Sequence, residues 1–387
     1  MGFNRKERLK MVKKIGRKSR PNNAMVHFRM TKIQRKEKNE AEMIRYAEER
    51  IRQREGEKMV DSEQYDFDGN QATTTQVVNH NQYKGYTLSI ALPGSILNNA
   101  QGPEFRTYLA GQIARTCAIF CVDEVIVFDE SAQITDSQID AYYSGAWNGN
   151  EKITSDNTEC NFHLARLLEY LECPQYLRKH LFPIQRPLKF SGVLNPLDGM
   201  HHLRASDLSI PYREGVVLDK YSAKGIVVDV GLQKELEIPV NSKIPPWTRV
   251  TVKLDYSNSK HLAGEISNPQ QVAEESGIYW GYSVRIAKSL TDALKNQDII
   301  IGTSERGTAI GDTDFPKVIG KRVLIVFGGL AGLESAVDAD EKIKATDPAD
   351  VFPIYINTLP GQGSRVIRTE EAIPITLTTL RNIFTNS

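Results

Sequence analysis

Residues 323–334 read VLIVFGGLAGLE, and residues 351–364 read VFPIYINTLPGQGS. Each is a buried-type apolar run that breaks into a glycine-rich loop. An apolar-spaced segment, Glu370 to Leu380, follows and closes the chain. Glycines after a strand let backbone amides approach a ligand closely. A third stretch, Asp298–Ile301, is strand-like and runs into a loop over Gly302–Thr308. Three loops behind three parallel-type strands describe the carboxyl end of an α/β sheet, where small molecules bind. None of them is a P-loop, because no glycine loop is followed by Lys and Ser or Thr. Gly361 and Gly363 lack the third glycine of a dinucleotide fingerprint, and no Gly-x-Ser-x-Gly elbow occurs. Nucleotide hydrolysis, hydride transfer and serine hydrolysis therefore lack their usual residues.

Upstream, Tyr86–Leu92 is a strand stopped by Pro93 and Gly94, Phe105–Phe120 has helical spacing, and Glu124–Asp129 is a second buried strand. Strand, helix and strand at these lengths predict a βαβ unit in a parallel sheet. Ser131–Ser155 reads as a polar loop. Asn161–Leu181 reads as a helix that Pro174 should kink or split, and Pro183–Arg204 as loop. Four short β-type runs then follow about ten residues apart, at Gly215–Leu218, Gly225–Val230, Lys234–Ile238 and Arg249–Leu254. That spacing predicts a small antiparallel barrel of the oligonucleotide-binding kind, or a plain β-insertion without ligand. The α/β texture returns at Trp280, with a short helix expected over Ala287–Leu294. The expected division is thus 1–80 tail, exposed helix and linker, 81–204 first α/β half, 205–268 barrel, and 269–387 second α/β half.

The net charge of +1 hides an uneven distribution. Residues 1–36 carry thirteen bases, Lys13, Lys14, Arg17 and Lys18 among them, against one acid, Glu7. Such a segment cannot fold alone. It reads as a nuclear address or an arm laid on RNA phosphates, against the alternative of a solvated tail. No apolar run reaches the roughly 18 residues of a membrane span, so no membrane partner is expected. Four cysteines in 387 residues do not form a disulfide framework.

Arg115 sits mid-helix in apolar surroundings, where it needs an anion. That anion is either a ligand phosphate or a structural acid such as Asp123 or Glu124. Arg306, with Glu305 beside it, poses the same choice. Cys117 and Cys121 read as structural thiols rather than metal ligands, and His201 and His202 as a structural pair rather than ligands for a metal or RNA.

Residues 111–128 (GQIARTCAIFCVDEVIVF), 324–334 (LIVFGGLAGLE) and 357–372 (NTLPGQGSRVIRTEEA) resemble the three motifs of SPOUT-class RNA methyltransferases. Residues 92–97 (LPGSIL), 172–178 (ECPQYLR), 211–215 (PYREG), 302–307 (GTSERG) and 368–371 (RTEE) resemble, more narrowly, the eukaryotic group that includes the human centromere- and spindle-associated member. The resemblance covers about residues 85–380. It implies a knotted parallel sheet interrupted by the barrel, a homodimer with the active site at the subunit interface, and S-adenosylmethionine as cofactor. It places the cofactor against Thr303, Gly328, Gly329, Gly332, Glu334, Asn357, Leu359, Gly361, Ser364, Ile367 and Thr369.

The resemblance also gives Arg115 the catalytic position and, together with Arg306, Arg365 and the basic tail, contact with RNA. The family's partner asparagine six residues before the arginine is Leu109 here, and its third-motif asparagine falls near Val366. Those departures favour methylation of a base nitrogen over a ribose oxygen. The proton acceptor is open between a nearby carboxylate and water. The competing expectation is a cofactor-binding RNA-binding, kinetochore or spindle protein with little turnover. A nuclear location is implied for either, with the nucleolus, or the kinetochore and spindle in mitosis, as finer addresses.

Overall fold

The structure is a computed structural model. It describes residues 84–147, 149, 156–220, 222, 225–239, 244–255 and 263–385. The expected basic tail, exposed helix and linker lie outside the described residues.

Six strands form a wholly parallel sheet in the order β11-β9-β10-β1-β2-β8. They are β1 (Thr87–Pro93), β2 (Glu124–Phe128), β8 (Ser283–Ala287), β9 (Ile299–Ala309), β10 (Arg322–Val326) and β11 (Ile354–Asn357). β1 and β10 are central and buried on both faces, which is why they read as unbroken apolar runs. On one face Ile90, Leu92, Val125 and Ile325 pack against α1 (Pro103–Ile119), α3 (Asp156–Glu172) and α9 (Thr369–Thr385). On the other, Ala91, Ile126, Leu324 and Val326 pack with Leu290 and Ala293 of α6 (Leu290–Ala293) and with Ala336 and Val337 of α7 (Glu334–Ala339). The sheet is therefore the middle layer of three.

A second, antiparallel sheet has the order β5-β4-β3-β6-β7, built from β3 (Tyr212–Val217), β4 (Ile226–Asp229), β5 (Leu236–Ile238), β6 (Arg249–Asp255) and β7 (Ala263–Ser267). Val217, Val228, Val230, Leu236, Val252 and Leu254 fill its interior. The two edges nearly meet, since a Cβ added at Gly264 of β7 would stand 2.9 Å from the Leu236 side chain of β5.

Several expectations need correction. The polar stretch after β2 holds a helix, α2 (Asp136–Tyr143), started by a capping box between Thr135 and Gln138. Cys173 and Pro174 divide the next helical run into α3 and α4 (Gln175–Leu181), as expected. The barrel has a fifth strand, β7, whose mostly exposed face shows no apolar alternation. Helix α5 (Pro269–Ser276) follows it, opened by the Asn268 side chain accepting from Gln271 N at 2.9 Å. Ala287 ends strand β8 rather than starting a helix, because this edge strand carries Ser283 and Arg285 and looks polar. Phe352 and Pro353 stand before β11, after the single turn α8 (Pro348–Val351). Residues 302–308 are extended as part of β9, yet they leave register with β11, where Tyr355 pairs with Gly302 and Ile356 with Thr308. The five residues between form a wide bulge.

A polar junction holds the two sheets together. Glu172, at the end of α3, meets Arg249 of β6, with Arg249 Nη2 3.0 Å from Glu172 Oε1. Arg249 Nε donates to Glu214 at 2.5 Å. His201 Nε2 lies 2.9 Å from Glu172 Oε1, and His202 Nε2 lies 2.7 Å from the Glu172 carbonyl. Both histidines thus belong to the scaffold. Arg213, fully buried, donates to the carbonyls of Val230, Arg204, Asp207 and Leu203. Glu172, Glu214 and Arg213 thus all find partners, which makes their burial tolerable.

Candidate functional site

The carboxyl ends of β9, β10 and β11 open into a cleft of about 340 Å³. Its walls are the β9 bulge, the loop after β10 and the loop after β11. Thr303, Gly328, Gly329, Gly332, Glu334, Asn357, Leu359, Ile367 and Thr369 all line it, as does Arg306. Gly361 and Ser364 belong to the same loop as Asn357 but do not line the cleft. Arg365 is exposed on that loop. Lys13, Lys14, Arg17 and Lys18 lie outside the described residues. A larger hollow of about 420 Å³, walled by Tyr86, Phe120, Tyr279 and Phe384, sits at the amino end of the sheet. Ligands of open parallel sheets bind at the other end.

Backbone and short side chains hold the cleft in shape. Gly328 cannot carry a side chain, because a Cβ there would fall 2.7 Å from the main chain of Gly332. Gly332 itself has φ +76°, a conformation that favours glycine. Thr369 Oγ1, at the start of α9, donates to Gly328 O at 2.8 Å, and Thr303 Oγ1 donates to Val326 O at 2.9 Å. Asn357 bridges two walls, donating to Glu305 O at 3.0 Å and accepting from Leu359 N at 3.0 Å. Arg306 Nη1 donates to Glu334 Oε1 at 2.9 Å across the mouth. Leu330 and Leu359 expose their side chains beside these polar groups. Main-chain polar groups with apolar flanks suit a planar heterocycle with hydroxyl and charged ends.

Arg115 is not in this cleft. It lines a separate hollow with Tyr108, Gln112, Asn195, Glu370 and Glu371. Neither proposed acid is its partner, because its guanidinium donates to the carbonyl of Leu197. Asp123 instead pairs with Lys84 at 2.6 Å and Glu124 with Arg285 at 2.9 Å. Cys117 is buried and its thiol is pushed far up by desolvation, as a structural thiol should be. No cluster of three or more metal-ligating side chains occurs among the described residues.

Sequence reasoning passed over Glu130 and Ser95. Both stand beside Gly329, where a Cβ would lie 2.4 Å from Glu130 Oε2 and 3.0 Å from Ser95 Oγ. The available signal was a pair of acids, Asp129 and Glu130, directly after a fully buried strand end, Val127–Phe128.

The family described as "Putative RNA methyltransferase" matches residues 87–380. The chain is 47% identical over 312 residues to the mouse (Mus musculus) 28S rRNA (uridine-N(3))-methyltransferase, covering 78% of this chain and 77% of that protein. It is 46% identical over 307 residues to the human (Homo sapiens) protein of the same name, covering 76% and 78%. This chain belongs to that RNA methyltransferase family. The match spans both sheets and every wall of the cleft. Membership agrees with the motif resemblance and with S-adenosylmethionine, the cofactor that resemblance named. Among solved structures, the SpoU methyltransferase AviRb from Streptomyces viridochromogenes in complex with AdoMet overlaps 77% of this chain and 59% of its own, at 10% identity and a TM-score of 0.24. That overlap is too slight to bear on the fold of this methyltransferase. Among the described residues, no helix is long and apolar enough to cross a membrane.

Proposed function

We propose that this methyltransferase acts on the N3 nitrogen of a uridine in large-subunit ribosomal RNA. The observation that carries the reading is the 47% identity, over 312 residues, to a mouse protein named for that reaction. S-adenosylmethionine, when bound, supplies a methyl group already activated by its sulfonium. The cleft fits that group. Gly328 and Gly332 leave room for backbone to approach it, Leu330 and Leu359 offer apolar contact for a heterocycle, and Glu334 and Asn357 offer polar partners. The chain's own task is then alignment of nucleophile and methyl, together with removal of the N3 proton.

Residues 81–204 and 269–387 are taken as one domain, with its last strands threaded as a trefoil knot. Residues 205–268 are an oligonucleotide-binding type of barrel that, with the basic tail, grips RNA phosphates. Arg115 acts on the nucleotide. Its place in a hollow separate from the cleft of its own chain, and the exposed Phe105 and Tyr108 on the same helix, support a homodimer in which Arg115 serves the partner's cleft. A nuclear, ribosome-building location follows from the substrate. No specific observation favours the kinetochore or spindle reading.

The test is incubation of the full chain with S-adenosylmethionine and a 28S rRNA transcript, followed by mass spectrometry of the nucleosides. 3-Methyluridine is the expected product. Its absence, with the cofactor shown to bind by calorimetry, would sink the reading.

A further inference from the structure

Methylation at uridine N3 removes a proton that some group must take. The parallel register puts three strand ends level beside the cleft: Ala91 pairs with Val326, and Pro93 with Phe128. Two residues beyond that last pair stand Ser95, in the 3-10 turn that follows β1, and Glu130, in the turn that follows β2. The loop after β10 brings Gly329 between them, so close that a Cβ there would touch both side chains. Glu130 therefore borders the cofactor loop on the side away from the β11 wall.

The two acids at the end of β2 are treated differently. Asp129 is saturated. Its Oδ1 accepts from Ser131 N and Oγ at 3.1 and 2.7 Å, and its Oδ2 from Gln133 N and Ile134 N at 2.7 and 3.0 Å. It ties the loop. Glu130 Oε2 and Ser95 Oγ are shielded from solvent and neither completes a well-formed hydrogen bond among the described residues, although the Ser95 hydroxyl is close enough to the carboxylate to lower its pKa. Buried polar atoms without partners are rare and ask for an explanation. Glu130 as a whole is only half buried, so a ligand can approach it.

We propose, resting on the uridine-N3 reading, that Glu130 is the catalytic base, with Ser95 positioning its carboxylate. The Glu130 carboxylate takes the N3 proton and becomes a carboxylic acid. The N3 electron pair forms the new N–CH₃ bond, the S–CH₃ bond breaks, and its electron pair stays on sulfur, discharging the sulfonium. The proton then leaves Glu130 to water. Burial pushes the Glu130 carboxyl above its ordinary range and the neighbouring Asp129 charge adds to this, while Ser95 opposes it. A carboxylate of raised basicity is better matched to a weakly acidic N–H.

The test uses the full chain and a uridine-bearing rRNA fragment. Glu130→Gln should lower single-turnover methyl transfer by roughly 10²–10⁴-fold, leaving S-adenosylmethionine affinity unchanged by calorimetry. Placing 5-fluorouridine at the target, with its more acidic N3–H, should restore the Gln variant far more than it speeds the wild type. A readout without turnover uses S-adenosylhomocysteine as the bound partner. RNA affinity should weaken on acidification through the raised Glu130 pKa in the wild type and stay flat in Glu130→Gln. Asp129 is the other titratable group facing Glu130, and it is unchanged in both chains.

Glu130→Asp should keep the pH limb at a lower rate, and it carries the test if the Gln variant does not fold. A Gln variant of wild-type rate, or a loss that 5-fluorouridine does not relieve, overturns the assignment. Absence of 3-methyluridine from wild-type reactions overturns the parent reading and this one with it, so the wild-type product tells the two failures apart.

Discussion

Arg249 of the barrel and Glu172 of the α/β layer form an ion pair across the junction of the two sheets, with Glu172 only 4% exposed. Arg249 and His201 hold the Glu172 carboxyl far below the usual carboxylate range, against its burial. Gly281 is required beside it, since a Cβ there would fall 2.3 Å from Glu172 Oε1. Removing one partner leaves the other buried and unmatched. Arg249→Met should destabilise the chain by about 3 kcal/mol, and Glu172→Gln by a similar amount. Denaturant midpoints check this. A double variant, Arg249→Met with Glu172→Met, should cost less than the sum of the single changes.

Acid should loosen the same junction, and the sign can be worked out. Burial and the neighbouring His201 depress His202 to about 4. The unfolded chain therefore binds that proton more readily than the folded one. The stability this provides is complete above the ordinary histidine value and is lost as pH falls from about 6.5 towards 4, an effect on the order of 2 kcal/mol. Glu172, also depressed, adds its own loss below the ordinary carboxylate value. Chemical denaturation at a series of pH values should show a decline starting near pH 6.5 in the wild type. That first decline should be clearly smaller in His202→Gln, the remainder coming from His163, which burial also depresses.

Gly328→Ala tests the cleft separately from the chemistry. The added methyl would meet the main chain of Gly332, which has no flexible end to move aside. S-adenosylmethionine affinity should fall at least about tenfold, equivalent to about 1.4 kcal/mol. Far-ultraviolet circular dichroism should stay unchanged. Undiminished binding would remove the loop after β10 from the site.

Arg115→Ala should abolish methyl transfer while leaving cofactor affinity intact, because Arg115 lines a different hollow. If that arginine serves the partner's cleft, Arg115→Ala chains and Gly328→Ala chains, assayed at S-adenosylmethionine too dilute to fill the Gly328→Ala cleft, should complement when mixed and re-equilibrated. Random pairing would then regenerate roughly a quarter of the wild-type sites. No recovery would place Arg115 and the cleft of one chain in the same site, or Arg115 in none.

Legibility in the sequence followed burial. β1, β2, β10 and the first residues of β9, Ile299–Ile301, were readable because both of their faces are covered, so the apolar run is nearly continuous; the partly exposed second half of β9 read as loop. β7 and β8 were not, because solvent lets Glu265, Ser283 and Arg285 occupy strand positions. Helix α2 was missed although Thr135 and Gln138 carried its start signal. The glycine loops were legible as loops, since Gly328 and Gly332 are there for backbone geometry. The partner of Arg115 was not, because the carbonyl of Leu197 could belong to any residue. Glu130 escaped notice for a related reason. Its meeting with Ser95 and Gly329 depends on strand order, which neighbouring residues do not encode.

That strand order also shapes how the chain is made. Ser89 of the central strand lies next to Glu124 on one side and Leu324 on the other. On a ribosome, β1 and β2 emerge early and can pair at once. The second flank of β1 must wait until nearly the whole chain has been synthesised. In that interval an apolar strand stands as an open edge, a template for pairing with other chains. The barrel, whose strands are contiguous in sequence, can close meanwhile. Slow completion of the large sheet is the expected kinetic signature, and molecular chaperones would have their longest engagement with residues 87–93.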